Sequence, residues 1–147
     1  MYIKKLIIES LSIFLLMGTT MPVLANTPNQ QVQYFDDGSY IITVIEDETS
    51  NIEFLSTTKT KSKTSTYHSS TGDSMWSVTV TGTFTYGNGT SKCTSSSINA
   101  KSYVSYWSIS SKSASRSGNK ASASATAVQT LNGRELQRLT KAVTLTC

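Results

Sequence analysis

Strict alternation of apolar and hydroxyl side chains along residues 76–86 is the feature that most restricts the fold of this chain. Serine or threonine occupies every second position, and the positions between them carry one apolar face, made of Trp76, Val78, Val80, Phe84 and Tyr86, with Gly82 among them. A period of two is typical of a half-buried β-strand, whereas a helix would scatter these residues around its circumference. The segment 87–89 (Gly-Asn-Gly) then favours a tight reversal into an antiparallel strand.

Further strand and turn patterns follow along the chain. Residues 100–110, 121–128 and 139–147 are expected to be strands, and Asn132-Gly133 is a strong hairpin signal. Residues 131–139 are also compatible with a short helical turn. Because alternating segments are separated by turn signals that recur at short spacings, we predict an all-β fold. The expected architecture is an antiparallel β-sandwich, Ig-like or jelly-roll-like, in a single domain with one disulfide.

Residues 1–25 have the three-part organisation of a cleavable secretory signal peptide. Lys4 and Lys5 provide a positive start, residues 6–17 are largely apolar, and the segment 23–25 (Val-Leu-Ala) fits a cleavage site after residue 25. The apolar stretch is shorter than the roughly 20 residues that a transmembrane helix needs. We therefore expect a secreted, extracellular protein, and association with the cell wall stays open.

Charge divides the remaining chain into two segments. Residues 26–53 contain six carboxylates and no Lys or Arg, whereas residues 54–147 contain eleven Lys or Arg side chains and two carboxylates. We distinguish an acidic leader over 26–53, with one hairpin or strand, from a basic Ser/Thr-rich β domain over 54–147. Either the two segments attract each other, or the basic domain faces a polyanion such as an anionic wall polymer or a membrane surface.

Cys93 and Cys147 are the only cysteines. An even number of cysteines in an exported chain favours a disulfide bond, because the compartment is oxidising. The sequence therefore predicts a bond between Cys93 and Cys147. Two free thiols and a bond between chains are the alternatives.

Catalytic chemistry has little support in the sequence. His68 is the only histidine, so a Ser-His-Asp arrangement would need it together with Asp73 in the loop-like stretch 67–73. We favour an ordinary exposed loop histidine, since no G-x-S-x-G motif accompanies it. For glycoside hydrolysis the basic domain offers only Asp73 and Glu135. We therefore expect no enzymatic activity, no cofactor and no metal site.

Two groups of residues fit binding better than catalysis. Lys59, Lys61 and Lys63 alternate with Ser and Thr, so an extended segment would present three ammonium groups on one face. That face is either a stripe for an anionic polymer or a charged edge strand that prevents aggregation. Tyr106 and Trp107 have opposite parity in a strand, so both cannot face one core. An exposed ring of this pair could stack on a sugar or lie at an interface.

Three short segments, together with the two cysteines, resemble features of a group of known proteins. The segments are 36–40 (Asp-Asp-Gly-Ser-Tyr), 72–76 (Gly-Asp-Ser-Met-Trp) and 81–86 (Thr-Gly-Thr-Phe-Thr-Tyr). With Cys93 and the late Cys147, the chain resembles small uncharacterised secreted proteins of Gram-positive bacteria. Those proteins have no assigned activity or catalytic residues, so the resemblance implies export and no particular chemistry.

These observations predict a secreted, non-catalytic β-sandwich protein that binds at or near the bacterial cell envelope. The expected partner is an anionic wall polymer, a glycan or a membrane surface, and not a nucleic acid. The alternative is a secreted antimicrobial or toxin-like protein that acts on a target membrane, because a basic body with amphipathic strands also suits that role. The identity of the ligand, the strand order and the oligomeric state stay open.

Overall fold

The structure is a computed structural model that describes residues 29–53 and 56–147. The signal peptide expected over residues 1–25 lies outside the described residues. The described chain forms eight strands: β1 (Gln30–Tyr34), β2 (Tyr40–Glu53), β3 (Ser56–His68), β4 (Ser74–Gly87), β5 (Thr90–Ser102), β6 (Trp107–Ser117), β7 (Lys120–Leu131) and β8 (Arg134–Thr146). The all-β prediction is therefore confirmed. No helix long and apolar enough to cross a membrane occurs in this part of the chain.

The strands form two antiparallel sheets in which each strand pairs with its neighbours along the chain. The first sheet has the order β1-β2-β3-β4-β5, and the second has the order β6-β7-β8. Ig-like and jelly-roll folds use Greek-key connections instead, so those two topologies are wrong for the described strands. The acidic leader contributes β1 and β2 to the first sheet, where β2 pairs with β3.

Two segments differ from the predicted strands. Residues 100–110 are not one strand, because β5 ends at Ser102 and β6 begins at Trp107 in the other sheet. The connecting turn is held by the Trp107 N–H, which donates to Val104 O (3.3 Å). Residues 131–139 form no helical turn. Asn132 and Gly133 take φ values of 50° and 74° and close the β7–β8 hairpin that this dipeptide predicts.

The core lies between the two sheets and combines large side chains of β4 with small side chains of β7. The buried residues of β4 include Trp76, Val78, Val80 and Phe84, and those of β7 include Ala121, Ala123, Ala125 and Ala127. Gly82 lies where the two sheets approach closely, since a Cβ added there would lie 2.7 Å from the Cβ of Ala121. Close approach between strands therefore explains this mid-strand glycine.

Hydroxyl side chains pair across the outward faces of both sheets. Thr64 and Thr79 join β3 to β4 through a 2.8 Å contact between their Oγ1 atoms, and Thr126 and Thr140 join β7 to β8 at the same distance. Cross-strand pairs of this kind are the units that stabilise a sheet laterally. They explain why a Ser/Thr-rich sequence forms strands.

The predicted disulfide bond is absent, because Cys93 and Cys147 are both free. The Cys93 N–H donates to Gly118 O (2.9 Å), and the Cys147 N–H donates to Asn119 O (3.2 Å). Both cysteines therefore dock on the β6–β7 turn, and their thiols point to different carbonyls, Cys93 Sγ to Ser95 O and Cys147 Sγ to Asn119 O. Backbone hydrogen bonds to the turn hold these segments together where the sequence suggested a covalent bond.

Candidate binding pocket

Four turns meet at one end of the two sheets, because alternate turns of an antiparallel meander lie at the same end. They are the turns over 35–39, 69–73, 103–106 and 132–133. We call this end the pocket end. A pocket of about 200 Å³ opens there, and its lining residues are Asp37, Ser39, Tyr67, Ser69, Ser70, Met75, Tyr106, Trp107, Gln129 and Gln137.

The β1–β2 turn fixes a carboxylate at the pocket. Gly38 has a φ of 80° and donates its N–H to Phe35 O (3.0 Å), which bends the chain back. Asp37 Oδ1 accepts hydrogen bonds from the Ser39 hydroxyl (2.5 Å) and from the Ser39 N–H (3.0 Å). The hydroxyl bond, followed by the backbone bond, lowers the pKa of Asp37. Asp37 is therefore an oriented anion at neutral pH.

The β3–β4 turn brings two serines to the pocket beside the β1–β2 turn. The Ser69 N–H donates to Asp73 O (2.9 Å), and Gly72, with a φ of 95°, donates its N–H to Ser69 O (3.0 Å). Thr71 Oγ1 donates to Asp73 Oδ2 at 2.8 Å. These bonds stiffen the turn from which Ser69 and Ser70 line the pocket.

A β-bulge places Met75 against Tyr106. Tyr67 pairs with Trp76 and His68 pairs with Ser74, so Met75 is the extra residue of β4. Its side chain is buried, and its Sδ accepts a hydrogen bond from the hydroxyl of Tyr106 at 3.2 Å. Tyr106 is 40% exposed, and this bond fixes the hydroxyl end of its ring.

Trp107 begins β6 and is buried, whereas its neighbour Tyr106 lies in the β5–β6 turn and is exposed. Trp107 is 4% exposed and lies 5.6 Å from Tyr67, centroid to centroid, in an edge-to-face arrangement. Trp76 lies 6.3 Å from both rings. This packed aromatic cluster forms a rigid floor beneath the pocket.

Two glutamine side chains complete the lining from the second sheet. Gln129 of β7 and Gln137 of β8 are register partners, and both side chains are half-buried. They extend the inward-facing rows that contain Ala127 on β7 and Leu139 on β8. Their amides can each donate and accept hydrogen bonds, and so supply polar groups where the apolar core ends.

His68 takes part in a stacking contact rather than in a catalytic arrangement with Asp73. Its ring stacks on Tyr40 with centroids 4.9 Å apart and an interplanar angle of 10°. His68 Nδ1 lies 3.2 Å from Gly72 O and 3.4 Å from Ser74 Oγ. The hydrogen bond to the Asp73 carboxylate comes from Thr71, so the hypothesised pairing of His68 with Asp73 does not form.

Lys59, Lys61 and Lys63 lie away from the pocket, on the inward face of β3. They pair in register with residues 80–84 of β4, whose inward side chains form the core. The edge-strand interpretation is wrong, since β3 lies between β2 and β4. Lys63 Nζ instead donates to Thr144 O (3.3 Å) on β8, which is an edge strand of the second sheet.

Lys61 and Lys63 thus border a groove, and Lys59 lies outside it. The groove measures about 440 Å³ and is lined by Asn29, Ile45, Lys61, Lys63, Thr144, Leu145 and Thr146. Lys59 is more exposed, and its Nζ lies 5.8 Å from the centroid of the Tyr86 ring. A charge held at the open edge of β8 discourages the pairing of another strand there.

Sequence reasoning identified Tyr106 and Trp107 but missed the residues that surround them. Gln129 and Gln137 are visible as polar residues that end alternating inward rows, so their positions could have been predicted. Met75 could not, because a bulge breaks the alternation on which such a prediction depends.

No protein-family model matches the chain, and no curated protein or solved structure is significantly similar to it. Within the described residues, no group of three or more His, Cys, Asp or Glu side chains could hold a metal ion. The chemistry of the pocket residues themselves is therefore what indicates a function.

Proposed function

We propose that this chain is a secreted, non-catalytic β-sandwich protein that binds a neutral glycan at the bacterial cell envelope. One observation carries the proposal: the pocket combines an exposed aromatic ring with carboxylate, hydroxyl and amide groups on a rigid floor. The export expected from residues 1–25 would bring this pocket to the polysaccharides of the envelope.

The pocket chemistry matches the two sides of a sugar ring. A pyranose has an apolar face of C–H groups and an edge of hydroxyls that both donate and accept hydrogen bonds. Tyr106 is an exposed aromatic residue that can stack on the C–H face of the sugar. The amides of Gln129 and Gln137 and the acceptor oxygens of Asp37 can form hydrogen bonds with the sugar hydroxyls. The volume of about 200 Å³ suits a single sugar unit better than a drug-sized ligand.

Two of the pocket side chains are held in place before any ligand binds. Asp37 accepts hydrogen bonds from Ser39, and the Tyr106 hydroxyl donates to Met75 Sδ. The backbones of the two glutamines are fixed on paired strands. A pre-ordered site loses less side-chain entropy on binding, which raises the affinity that a few hydrogen bonds can supply.

Calorimetric titration with soluble wall oligosaccharides tests the proposal. Tyr106→Ala should weaken binding about tenfold or more, since an aromatic anchor of a binding site is commonly a hot spot. Gln137→Ala should also weaken binding, because it removes amide contacts. Tyr103→Ala is the matched control: Tyr103 is similarly exposed (45%) but does not line the pocket, so affinity should stay within about twofold.

A different pattern of binding would contradict the proposal. If the protein sediments with cell wall equally well after Tyr106→Ala, and if added salt abolishes this sedimentation, the attraction is electrostatic. If the double variant Lys61→Gln/Lys63→Gln then no longer sediments, the ligand is an anionic polymer that binds in the groove lined by Lys61 and Lys63.

A further inference from the structure

The exposed large apolar side chains of the described residues are confined to the pocket end. They are Tyr34, Tyr103, Tyr106, Leu131 and Leu136, and their exposed fractions range from 40% to 58%. Tyr34 ends β1, the other tyrosines lie in the β5–β6 turn, and the leucines flank the β7–β8 turn. We call these five residues the apolar rim. Exposed apolar side chains that share one end of a molecule suit an interaction site, whereas singly scattered ones need no such explanation.

A second β-bulge displays one of the rim leucines. Gln129 pairs with Gln137 and Thr130 pairs with Glu135, so Leu136 is the extra residue of β8. Leu136 is 58% exposed, directly beside the glutamine that lines the pocket. Bulges commonly redirect side chains next to functional sites. Here the bulge places an apolar side chain outside the pocket and a polar one inside it.

The rim mixes its apolar side chains with charges that nearly cancel. The pocket end carries the carboxylates Asp36, Asp37, Asp73 and Glu135 and the cations Lys101, Arg134 and Arg138. Arg138 is bonded to Glu135 through Nε and Nη2 (2.9 and 2.7 Å), and Lys101 Nζ lies 4.6 Å from the centroid of the Tyr103 ring. This balance gives the end little attraction for a strongly anionic surface.

We propose that the pocket ligand is the neutral sugar headgroup of a membrane lipid, and that the apolar rim enters the bilayer interface around it. This inference rests on the proposed glycan-binding function. Tyrosine suits the interface because one end of its ring is apolar and the other is hydrated. The leucines on the β7–β8 hairpin add apolar area, and the near-neutral charge favours a zwitterionic bilayer with an uncharged headgroup.

Flotation with vesicles tests the inference. The probe is phosphatidylcholine vesicles that contain a minor fraction of monoglucosyl- or monogalactosyl-diacylglycerol, and vesicles of phosphatidylcholine alone serve as the reference. We expect the wild-type protein to float with the glycolipid vesicles and to stay in solution with the reference vesicles. Leu131→Ser/Leu136→Ser should reduce vesicle binding about tenfold or more while soluble sugar binds as before. Leu131→Ile/Leu136→Met keeps the apolar area and should bind vesicles normally.

The outcomes separate this inference from the proposed function. If soluble oligosaccharide binds in a Tyr106-dependent way but the vesicles do not bind, the inference fails and the proposed function stands. If the leucine-to-serine variant floats like the wild type, the rim does not contact lipid and the inference fails. If the rim substitutions instead abolish self-association in sedimentation velocity, the rim is a protein interface and the inference is overturned. Loss of both soluble and vesicle binding in Tyr106→Ala supports a single shared site.

Discussion

Gly82→Ala tests how closely the two sheets approach one another. The added methyl group would lie 2.7 Å from the Cβ of Ala121 and 2.8 Å from Cζ of Phe84. Carbon atoms in contact are about 3.5–4.0 Å apart. The sheets or the Phe84 ring must therefore move by roughly 0.7 Å or more to accept the methyl group. Neither neighbour can move into solvent, because Phe84 and Ala121 are both fully buried.

Two opposing effects set the size of the change. Over-packing of a well-packed core costs about 1–3 kcal/mol. Alanine in place of a strand glycine recovers about 0.5–1 kcal/mol, because glycine loses more backbone entropy on folding. We expect a net loss of about 1–2 kcal/mol in the free energy of unfolding. With a urea m-value of about 2 kcal/mol/M, the unfolding midpoint should fall by roughly 0.5–1 M.

Urea unfolding followed by tryptophan fluorescence measures this change, since Trp76 and Trp107 are both buried in the folded protein. Adding Ala121→Gly to Gly82→Ala should restore part of the lost stability, because it removes the nearer of the two clashing groups. Adding Ala123→Gly, which removes a buried methyl two residues along the same strand, should restore none. Wild-type stability in Gly82→Ala, or equal rescue by both glycines, would refute the close approach.

Three further predictions concern the thiols, the turn carboxylate and the β8 edge. Burial raises the pKa of the Cys93 thiol, so a thiol reagent should label the half-buried Cys147 in the native protein and both cysteines in urea. Ser39→Ala should raise the pKa of Asp37 towards its ordinary value in an NMR titration, because the hydroxyl bond is the main cause of its lowering. Any stability from this carboxylate is present above its unfolded pKa and is lost as pH falls through the lower folded pKa. Lys63→Met should promote self-association in sedimentation velocity, because the open edge of β8 loses its charge.

Each of these predictions has its own control. If no thiol reacts with the reagent in urea without reductant, both cysteines are oxidised and the prediction of two free thiols is contradicted. Thr71→Ala leaves the Ser39 bonds intact, so an equal change in the pKa of Asp37 would contradict the assignment to Ser39. Lys59→Met removes the same charge from a more exposed position, and equal self-association in that variant would show that net charge alone matters.

Alternation predicts the middle of β4 correctly and fails at the turn between the two sheets. The inward row Trp76, Val78 and Val80 lies in the core as its period of two indicates. Residues 100–110 also carry strand-forming residues, but nothing local marks the point at which the chain leaves one sheet for the other.

The cysteine prediction failed for a different physical reason. An oxidising compartment and an even number of cysteines make a disulfide bond chemically possible, but neither gives the distance between the two cysteines. The backbone N–H groups of Cys93 and Cys147 donate to two different carbonyls of the β6–β7 turn, and the strand register sets these positions. Register depends on pairing along whole strands, so two residues far apart in sequence cannot be placed from their identities.

The pocket depends on departures from regular strand geometry. If β8 paired with β7 without this bulge, Leu136 would lie opposite Gln129 and Gln137 opposite Val128, and a one-residue shift moves each side chain to the opposite face. The bulge at Met75 likewise adds one residue to β4, between the buried Trp76 and the turn that contains Ser69 and Ser70. Two single-residue insertions therefore join a polar pocket to an apolar rim at the same end of the molecule. The regular alternation builds the core, and its interruptions build the site.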